Sequence, residues 1–306
     1  LRIPQGLPPI PEVMTQRVLE WATQRLRCGE SVALASVISA QGSVPGKPGA
    51  HLAISDSGES SGTVGGAGLE MKVIAHLNEM LQESATGELS GGRVETYQLR
   101  HEALLKTASS ESGSTPLDSL CGGVVTVSME VLEPMPHLLL CGGGHCAQAI
   151  ADASAPLGWE VSVFDVREEF ADQEMWPDVR ERICSSVSEF LDSESGDSLM
   201  RYSNLLLLGH DWKVDEQLLI GVLQRIGGEL RPRIGVIGSR AKWQSFVATA
   251  LECGISQDTL DSVICPIGVN IGAESPQEIA IAVLAEIIAE QKGVVLGEAS
   301  WREELD

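Results

Sequence analysis

Three consecutive glycines after an apolar run form the strongest chemical motif of the chain. The run LLLC at residues 138–141 is followed by GGGHCA at residues 142–147. With Asp165 about twenty residues after the first glycine, the spacing matches the G-x-G-x-x-A dinucleotide fingerprint. There Gly142 makes the tight turn, Gly144 lets the backbone approach a pyrophosphate at the helix N-terminus, and Asp165 accepts from ribose hydroxyls. The same pattern also fits a doubly wound domain whose crevice is empty or has another use.

Two histidines lie at predicted strand ends near this motif. His145 begins the helix after the glycines, where it would contact a phosphate, ligate a metal or simply be a polar residue at an exposed helix start. His210 and Asp211 follow the predicted strand 204–208 and could be a base with its orienting carboxylate or two metal ligands. We favour the alternative that Asp211 caps a helix beginning near Val214.

A second anion site is expected at Ser239 and Arg240. These residues follow an apolar strand pattern and begin a helix that also carries Lys242. Cations at the carboxyl end of a strand suit an anionic ligand, and in an acidic chain they are more notable than usual. The alternative is that the two cations pair with neighbouring carboxylates.

The N-terminal part contains two glycine-rich loops, at residues 42–49 and 62–68, and a reactive-cysteine motif, CGG, at residues 121–123. Successive N–H groups of such loops can surround an anion, with Lys47 as the counter-charge, although ordinary turns would also explain them. Cys121 follows a Ser- and Thr-rich segment, so its thiol would be accessible to a partner or a soft metal. The alternative is a cysteine that packs as a small apolar residue.

The elements that position these residues fall into two patterns. Residues 14–26 and 69–81 have helical apolar spacing, and residues 32–38 and 124–132 are expected to be strands. After a linker at 133–136, strands alternate with helices, which predicts a parallel sheet covered by helices. We therefore predict an α/β protein with an N-terminal α/β domain (1–133) and a C-terminal Rossmann-like parallel-sheet domain (137–306). Its last helix, after Ser275 and Pro276, is expected to be mostly buried and to expose only a glutamate face. The expected strands of the C-terminal domain are 137–140, 160–165, 182–184, 204–208 and 234–237.

Composition limits the functional classes. With 43 acidic and 21 basic residues among 306, the net charge is −22, which excludes a protein that neutralises nucleic-acid phosphates. The longest apolar stretch, 279–289, contains Glu286 and is too short to cross a membrane, and no secretory leader is recognised. Seven scattered cysteines without a CxxC pair indicate the reducing cytoplasm and predict no zinc knuckle.

Taken together, the motifs resemble the xanthine dehydrogenase accessory protein family of the XdhC/CoxI type. The resemblance spans nearly the whole chain in the same order, and the run near residue 270 is long enough to be specific. The matching segments are GSVP at 42–45, GTVGG at 62–66, CGG at 121–123, GGGH at 142–145, DVREEF at 165–170, GHD at 209–211, IGSR at 237–240 and CPIGVNIGAESPQEIA at 265–280.

The resemblance implies a maturation factor, a cofactor chaperone more than a conventional enzyme. Such a protein would bind the molybdenum cofactor (molybdopterin), assist its sulfuration with a cysteine desulfurase, and deliver it to a molybdenum hydroxylase apoenzyme. We also expect a homo-oligomer without nucleic-acid or membrane partners, and Cys121 as the reactive thiol. The expected cofactor contacts are Gly42, Ser43, Lys47, Gly65, Gly66, Glu70, Gly142, Gly144, His145, Asp165, His210, Ser239 and Arg240.

The chain departs from the family pattern in three segments, one of which is Leu208-Gly209-His210, where a Thr-His pair is usual. Gly46 stands where an arginine is expected, and Ala67 and Gly68 replace a Gly-Cys pair, so one family thiol is missing. Two alternative functions follow from the residues: an NAD(P)-dependent oxidoreductase that uses the fingerprint directly, and an acidic scaffold that docks a hydroxylase without holding a ligand.

Overall fold

The backbone forms two sheets that belong to different parts of the chain. The computed structural model describes residues 11–89, 91–100, 115–118, 122–209, 211–227 and 231–294. The chain divides into two compact units at the Pro134–Met135 bond, each with its own sheet and core. None of the helices in these ranges is both long enough and apolar enough to span a bilayer.

The N-terminal unit is a six-stranded mixed sheet with helices on both faces. Its helices are α1 (Pro11–Arg27) and α2 (Ala67–Thr86), and its strands are β1 (Val32–Gly42), β2 (His51–Ser55), β3 (Ser60–Gly62), β4 (Arg93–Arg100), β5 (Thr115–Asp118) and β6 (Gly123–Leu132). The strand order is β3-β2-β1-β6-β4-β5. All neighbours are antiparallel except β4 and β5, which are parallel.

Strand β1 is buried on both faces, which explains its unbroken apolar sequence. Val32 and Leu34 pack with α1, whereas Ala33 and Val37 pack with α2. The strand extends to Gly42, four residues beyond the expected end, because a register shift after Val37 lets its polar last residues keep pairing with β6. The predicted apolar face of α2 is confirmed by its buried leucines and valine.

The C-terminal unit contains a five-stranded parallel sheet, as predicted. Its strands are β7 (His137–Cys141), β8 (Glu160–Asp165), β9 (Glu181–Cys184), β10 (Asn204–Leu207) and β11 (Arg233–Val236). Its helices are α3 (His145–Ser154), α4 (Val187–Ser193), α5 (Gly196–Leu199), α6 (Trp212–Ile226), α7 (Arg240–Glu252), α8 (Gln257–Asp261) and α9 (Pro276–Gln291). The strand order is β11-β10-β7-β8-β9. The first strand, β7, lies in the centre, with β8 and β9 on one side and β10 and β11 on the other, as in the Rossmann fold. The direction of the connections reverses between β7 and β10, where such sheets bind ligands.

The last helix corrects one expectation. Its capping box is formed by Ser275 and Glu278, as predicted. However, the side chains of Ile281 and Ile288 are 59% and 37% exposed, while Glu286 is largely buried and pairs with Arg233. The exposed surface of the helix therefore includes apolar residues and is not limited to the glutamate face.

Candidate functional site

The two glycine-rich loops of the N-terminal unit pack against each other through their backbones. A Cβ at Gly46 would collide with the carbonyl oxygen of Val64. A Cβ at Gly65 would lie 2.7 Å from the Gly46 Cα, and one at Gly66 would lie 2.5 Å from Cγ of Pro45. Real Cβ atoms do not approach other heavy atoms so closely, which accounts for glycine at position 46 in place of the expected arginine.

The CGG segment reaches the same end of the sheet. Gly42 ends β1 opposite Gly123, which begins β6. The backbone N–H of Ser43 donates to the carbonyl oxygen of Gly122 at 2.8 Å. Cys121, the expected reactive thiol, lies outside the described residues, but its neighbour Gly122 is in direct contact with the first glycine loop. Three segments that are distant in sequence therefore meet at one end of this sheet.

Glu70 fixes the second glycine loop at the start of α2. Its carboxylate accepts a hydrogen bond from the Thr63 hydroxyl, whose oxygen accepts from the Gly65 N–H at 3.0 Å. Gly65 has a φ of 87°, a left-handed conformation that favours glycine. Glu70 thus holds the loop geometry, and exposed Lys47 makes no ion pair with any described residue.

Helix capping separates the two glycine-rich helix starts from the others. Ser and Asp side chains accept backbone N–H groups at the start of six helices of the C-terminal unit, α4 to α9. By contrast, α2 begins after Gly66 and α3 after Gly144, without a side-chain cap. Their first-turn N–H groups have no acceptor among the described residues. Free N–H groups and the positive end of the helix dipole make both starts suitable for an anion.

The fingerprint glycines have different surroundings. Gly142 has a φ of 107°, and its Cβ would lie 2.8 Å from Cα of Gly209, in the loop after β10. A Cβ at Gly143 would collide with the Phe170 carbonyl oxygen. Nothing lies within 4 Å of a Cβ at Gly144, so the backbone is open to a ligand there. The role of Gly144 at a pyrophosphate stays a prediction, while Gly142 and Gly143 are required by packing.

Asp165 ends β8 with all its acceptor positions occupied. Its Oδ1 accepts from the Arg167 backbone N–H and Nε, both at 2.9 Å. Its Oδ2 accepts from the Gly143 N–H and from Nη2 of Arg167, both at 2.8 Å. Burial raises the pKa of the Asp165 carboxyl, but hydrogen bonds from Arg167 and Gly143 hold it below its usual range. A carboxylate offers about four such positions, so this geometry leaves none for the expected ribose hydroxyl.

A cavity of about 290 Å³ lies at the carboxyl ends of β7, β8 and β10. Asp165, Arg167, Gly209 and Asp215 are on its wall. Cys141 also borders it, but burial raises the pKa of that thiol, which stays protonated and unreactive.

Asp215, on the wall of this cavity, forms an ion pair with Lys242. Asp215 is 1% exposed and accepts from the Gly209 N–H at 3.2 Å and from Lys242 Nζ at 2.7 Å. Burial raises the pKa of Asp215, and the nearby ammonium only partly opposes that effect. Lys242 Nζ also donates to the Ile237 carbonyl oxygen at 3.1 Å. This pair therefore ties the loop after β10 to the end of β11.

These contacts leave fewer free groups for an anion at the expected site of Ser239 and Arg240. The Ser239 hydroxyl accepts the Lys242 backbone N–H at 3.3 Å and caps α7. Since the Lys242 ammonium is committed to Asp215, the alternative of pairing with a carboxylate holds for this residue. Arg240 is exposed, and it has no ion pair within the described parts of the chain.

The remaining site residues are placed as follows. His145 is exposed at the first residue of α3. His210 lies outside the described residues, and its neighbour Asp211 caps α6 by accepting the Lys213 N–H at 2.9 Å, as predicted. Among the described residues, no group of three His, Cys, Asp or Glu side chains could hold a metal. Arg167 was not among the contacts expected from the sequence, although it lies only two residues after Asp165.

Two family models match the chain in the same order as its two units. The model described as the XdhC and CoxI family matches residues 25–98, and that described as the XdhC Rossmann domain matches residues 138–287. The chain belongs to the XdhC and CoxI family. The matched XdhC ranges include both glycine-rich loops, the fingerprint and the whole parallel sheet, which confirms the predicted resemblance and fold class.

Curated relatives of this XdhC-family chain include two bacterial proteins. "Uncharacterized protein YqeB" of Escherichia coli (strain K12) is 31% identical over 260 residues, which cover 84% of this chain and 43% of the relative. A protein described as a probable xanthine dehydrogenase subunit, from Bacillus subtilis (strain 168), is 25% identical over 165 residues, covering 54% and 46%. The matches thus span less than half the length of either relative.

Solved structures matched by the chain include a xanthine dehydrogenase from Bacillus halodurans, with a TM-score of 0.45 and 18% identity. That match covers 94% of this chain and 99% of the other. A short-chain dehydrogenase from Streptomyces avermitilis has a TM-score of 0.33 and 18% identity, covering 51% and 85%.

Proposed function

We propose that this chain is an accessory factor that binds the molybdenum cofactor, assists its sulfuration and delivers it to a molybdenum hydroxylase such as xanthine dehydrogenase. The observation that carries the proposal is the meeting of three family segments at one end of the N-terminal sheet. The Ser43–Gly122 hydrogen bond and the Gly46–Gly65 contact join them beside the uncapped start of α2.

The donors at this place suit a phosphorylated pterin. Ala67, Gly68 and Leu69 present backbone N–H groups without described acceptors, and Lys47 supplies a cation on the neighbouring loop. A phosphate is stabilised by such N–H groups and by the positive end of a 20-residue helix. These residues would hold the phosphate tail, while the cofactor itself would supply the redox metal to the client enzyme.

Cys121 remains our proposed thiol for the metal or its sulfur. Gly68 occupies the place of the second family thiol, so no described residue of that loop can share the task. A thiolate ligates soft metals. It would also accept sulfur from the persulfide of a desulfurase by attacking the outer sulfur atom, which releases the desulfurase cysteine as a thiolate. The proposed partners are a cysteine desulfurase and a hydroxylase apoenzyme.

The test is cofactor transfer in vitro. The purified chain would be incubated with released molybdenum cofactor and separated by gel filtration, with molybdenum and pterin measured in the protein peak. We expect co-elution for the wild type and loss of cofactor sulfuration for Cys121→Ser. Cys253→Ser, which removes an exposed thiol elsewhere, is the matched control and should behave as wild type. Absence of co-elution, or full sulfuration by Cys121→Ser, would contradict the proposal.

A second candidate function is an NAD(P)-dependent oxidoreductase, favoured by the strand order and by the open backbone at Gly144. The saturated Asp165 carboxylate counts against it, because an NAD-type site needs a free acceptor for the ribose. Calorimetric titration with NADH, followed by a hydride-transfer assay, separates the two functions. Micromolar binding with turnover would favour the oxidoreductase.

A further inference from the structure

We infer that the crevice of the C-terminal unit binds the planar nitrogen heterocycle of a phosphorylated ligand, a purine or a pterin, by stacking on the guanidinium of Arg167. The site would not read a ribose diol. The pterin form of this inference rests on the proposed function and adds a second site, separate from the N-terminal one, for the same cofactor, whereas the purine form is independent of it.

The first support is the commitment of Asp165. In a dinucleotide site, the carboxylate at this strand end accepts from the ribose hydroxyls. Here it accepts from Gly143 and three times from Arg167, and it is only 3% exposed. A sugar hydroxyl would have to displace a charge-assisted hydrogen bond to reach it. The sugar is therefore not the feature that this strand end recognises.

The second support is the orientation of Arg167. Asp165 holds the Nε and Nη2 edge of its guanidinium, and the Phe170 ring covers one face, with Cζ 3.7 Å from the ring centroid. The side chain is nevertheless 36% exposed and borders the cavity. A flat group fixed along one edge and one face leaves its opposite face accessible. Guanidinium planes stack well on aromatic rings, and here the rotamer is already fixed before a ligand arrives.

Size and charge favour a neutral ring over an anion at this position. The cavity of about 290 Å³ is at the lower limit of ligand pockets, about 300 to 1,000 Å³, and fits one ring system of a larger ligand. Asp165 and Arg167 on its wall form one ion pair, and Asp215 on the wall pairs with Lys242 behind it. Asp211, also on the wall, adds a further carboxylate. The summed charge is thus not positive, which disfavours a phosphate beside Arg167.

The phosphates have a separate place. Gly142 lies on the cavity wall, and two residues later Gly144 opens to solvent at the uncapped start of α3. A ligand with its ring on Arg167 could extend toward these free N–H groups. This arrangement gives a reason for the packed glycines, Gly142 and Gly143, and for the solvent-accessible Gly144.

The test is a set of calorimetric titrations of the full chain. The probes are ADP, 2′-deoxy-ADP, 2′,5′-ADP and neopterin monophosphate, with ribose 5-phosphate as the probe without a ring. We expect ADP or the pterin phosphate to bind, and 2′-deoxy-ADP to bind within about threefold of ADP. Ribose 5-phosphate should bind at least about tenfold more weakly, because a stacked base contributes at least that much. The phosphate on the 2′ position should weaken binding.

Arg167→Lys keeps a cation beside Asp165 but removes the flat surface, and it should weaken the ring-containing probes about tenfold. Arg180→Ala is the matched control: it removes an arginine that pairs with Glu160 away from the cavity, and binding should be unchanged. Melting temperatures would verify that both variants fold.

Any one of the following results would overturn the inference. One is a loss of at least about tenfold for 2′-deoxy-ADP, and another is tighter binding of 2′,5′-ADP than of ADP. The third is equal binding by wild type and Arg167→Lys, or no binding of any ring-containing probe at millimolar concentration. Binding of ADP without binding of the pterin would support this inference while counting against cofactor binding in this crevice. The N-terminal site is tested separately by molybdenum co-elution.

Discussion

Asp215 and Lys242 form an ion pair, with 2.7 Å between Oδ2 and Nζ, that joins the helices following two neighbouring strands. Asp215 also accepts the Gly209 N–H, and Lys242 also donates to the Ile237 carbonyl oxygen. Since Gly209 packs on Gly142, this pair supports the loop that closes one side of the C-terminal crevice.

Lys242→Met should destabilise the protein by about 3 kcal/mol, because it leaves a buried carboxylate without its partner. The loss should shrink as the pH is lowered, since burial already raises the pKa of Asp215 and protonation removes the unpaired charge. Urea unfolding at pH 7.5 and pH 5 measures both effects. Lys213→Met, which changes an exposed lysine of the same region, should shift stability by less than about 0.5 kcal/mol. Equal losses in the two variants would contradict the buried-pair interpretation.

His137 should make stability depend on pH in the acidic range. Burial lowers its pKa to about 4, the charges of Arg180 and Arg201 add to that effect, and Glu160 and Glu181 oppose it. Its Nε2 lies 2.8 Å from the Ser162 hydroxyl, and its Nδ1 has no described partner. Because the unfolded chain binds the proton near pH 6.5, stability falls as the pH drops from 6.5 toward 4, by about 3 kcal/mol at most.

Comparing unfolding free energies of wild type and His137→Gln at pH 7 and pH 4.5 isolates this contribution. The drop should be smaller in the variant, which cannot titrate. His145→Gln, at an exposed position, serves as the control and should keep the drop of the wild type. A variant with an unchanged pH dependence would show that His137 is not the group responsible.

Gly144→Ala should separate ligand binding from stability. Nothing lies within 4 Å of the added Cβ, and the φ of −75° suits alanine. The free energy of unfolding should therefore change by less than about 1 kcal/mol. The methyl group would nevertheless stand where a phosphate approaches, and binding of ADP should weaken by about tenfold or more. Calorimetry and thermal melting provide the two readouts. Unchanged affinity would remove this glycine from the binding site.

Gly46→Ala should destabilise the N-terminal unit by about 1 to 3 kcal/mol, because its Cβ collides with the Val64 carbonyl oxygen. Gly122→Ala is the matched control, since nothing lies within 4 Å of its added Cβ. Thermal unfolding followed by circular dichroism compares the two. Similar stabilities of the two variants would mean that the loops can rearrange around a Cβ at Gly46 at little cost.

The order of strands and helices in the C-terminal unit could be predicted from the apolar patterns of its elements and from capping residues at several helix starts, such as Asp211 and Ser275. The hydrogen bonds that occupy Asp165 could not be predicted. They depend on Arg167 folding back toward Asp165 at a bend in the chain, and apolar periodicity does not encode such a bend. Ile281 shows a similar limit: apolar residues of α9 extend beyond one face, and only the packing decides which of them stay in water. Cys121 and His210 remain predictions.

The interlocked backbones of Pro45, Gly46, Gly65 and Gly66 make the two N-terminal loops mutationally dependent on each other. An arginine introduced at position 46 alone would have no room, so the cation expected in the family can return only if the Val64 to Gly66 turn is rebuilt with it. Chimeras with related proteins should accordingly exchange both loops as one cassette, and single-loop transplants should fail to fold.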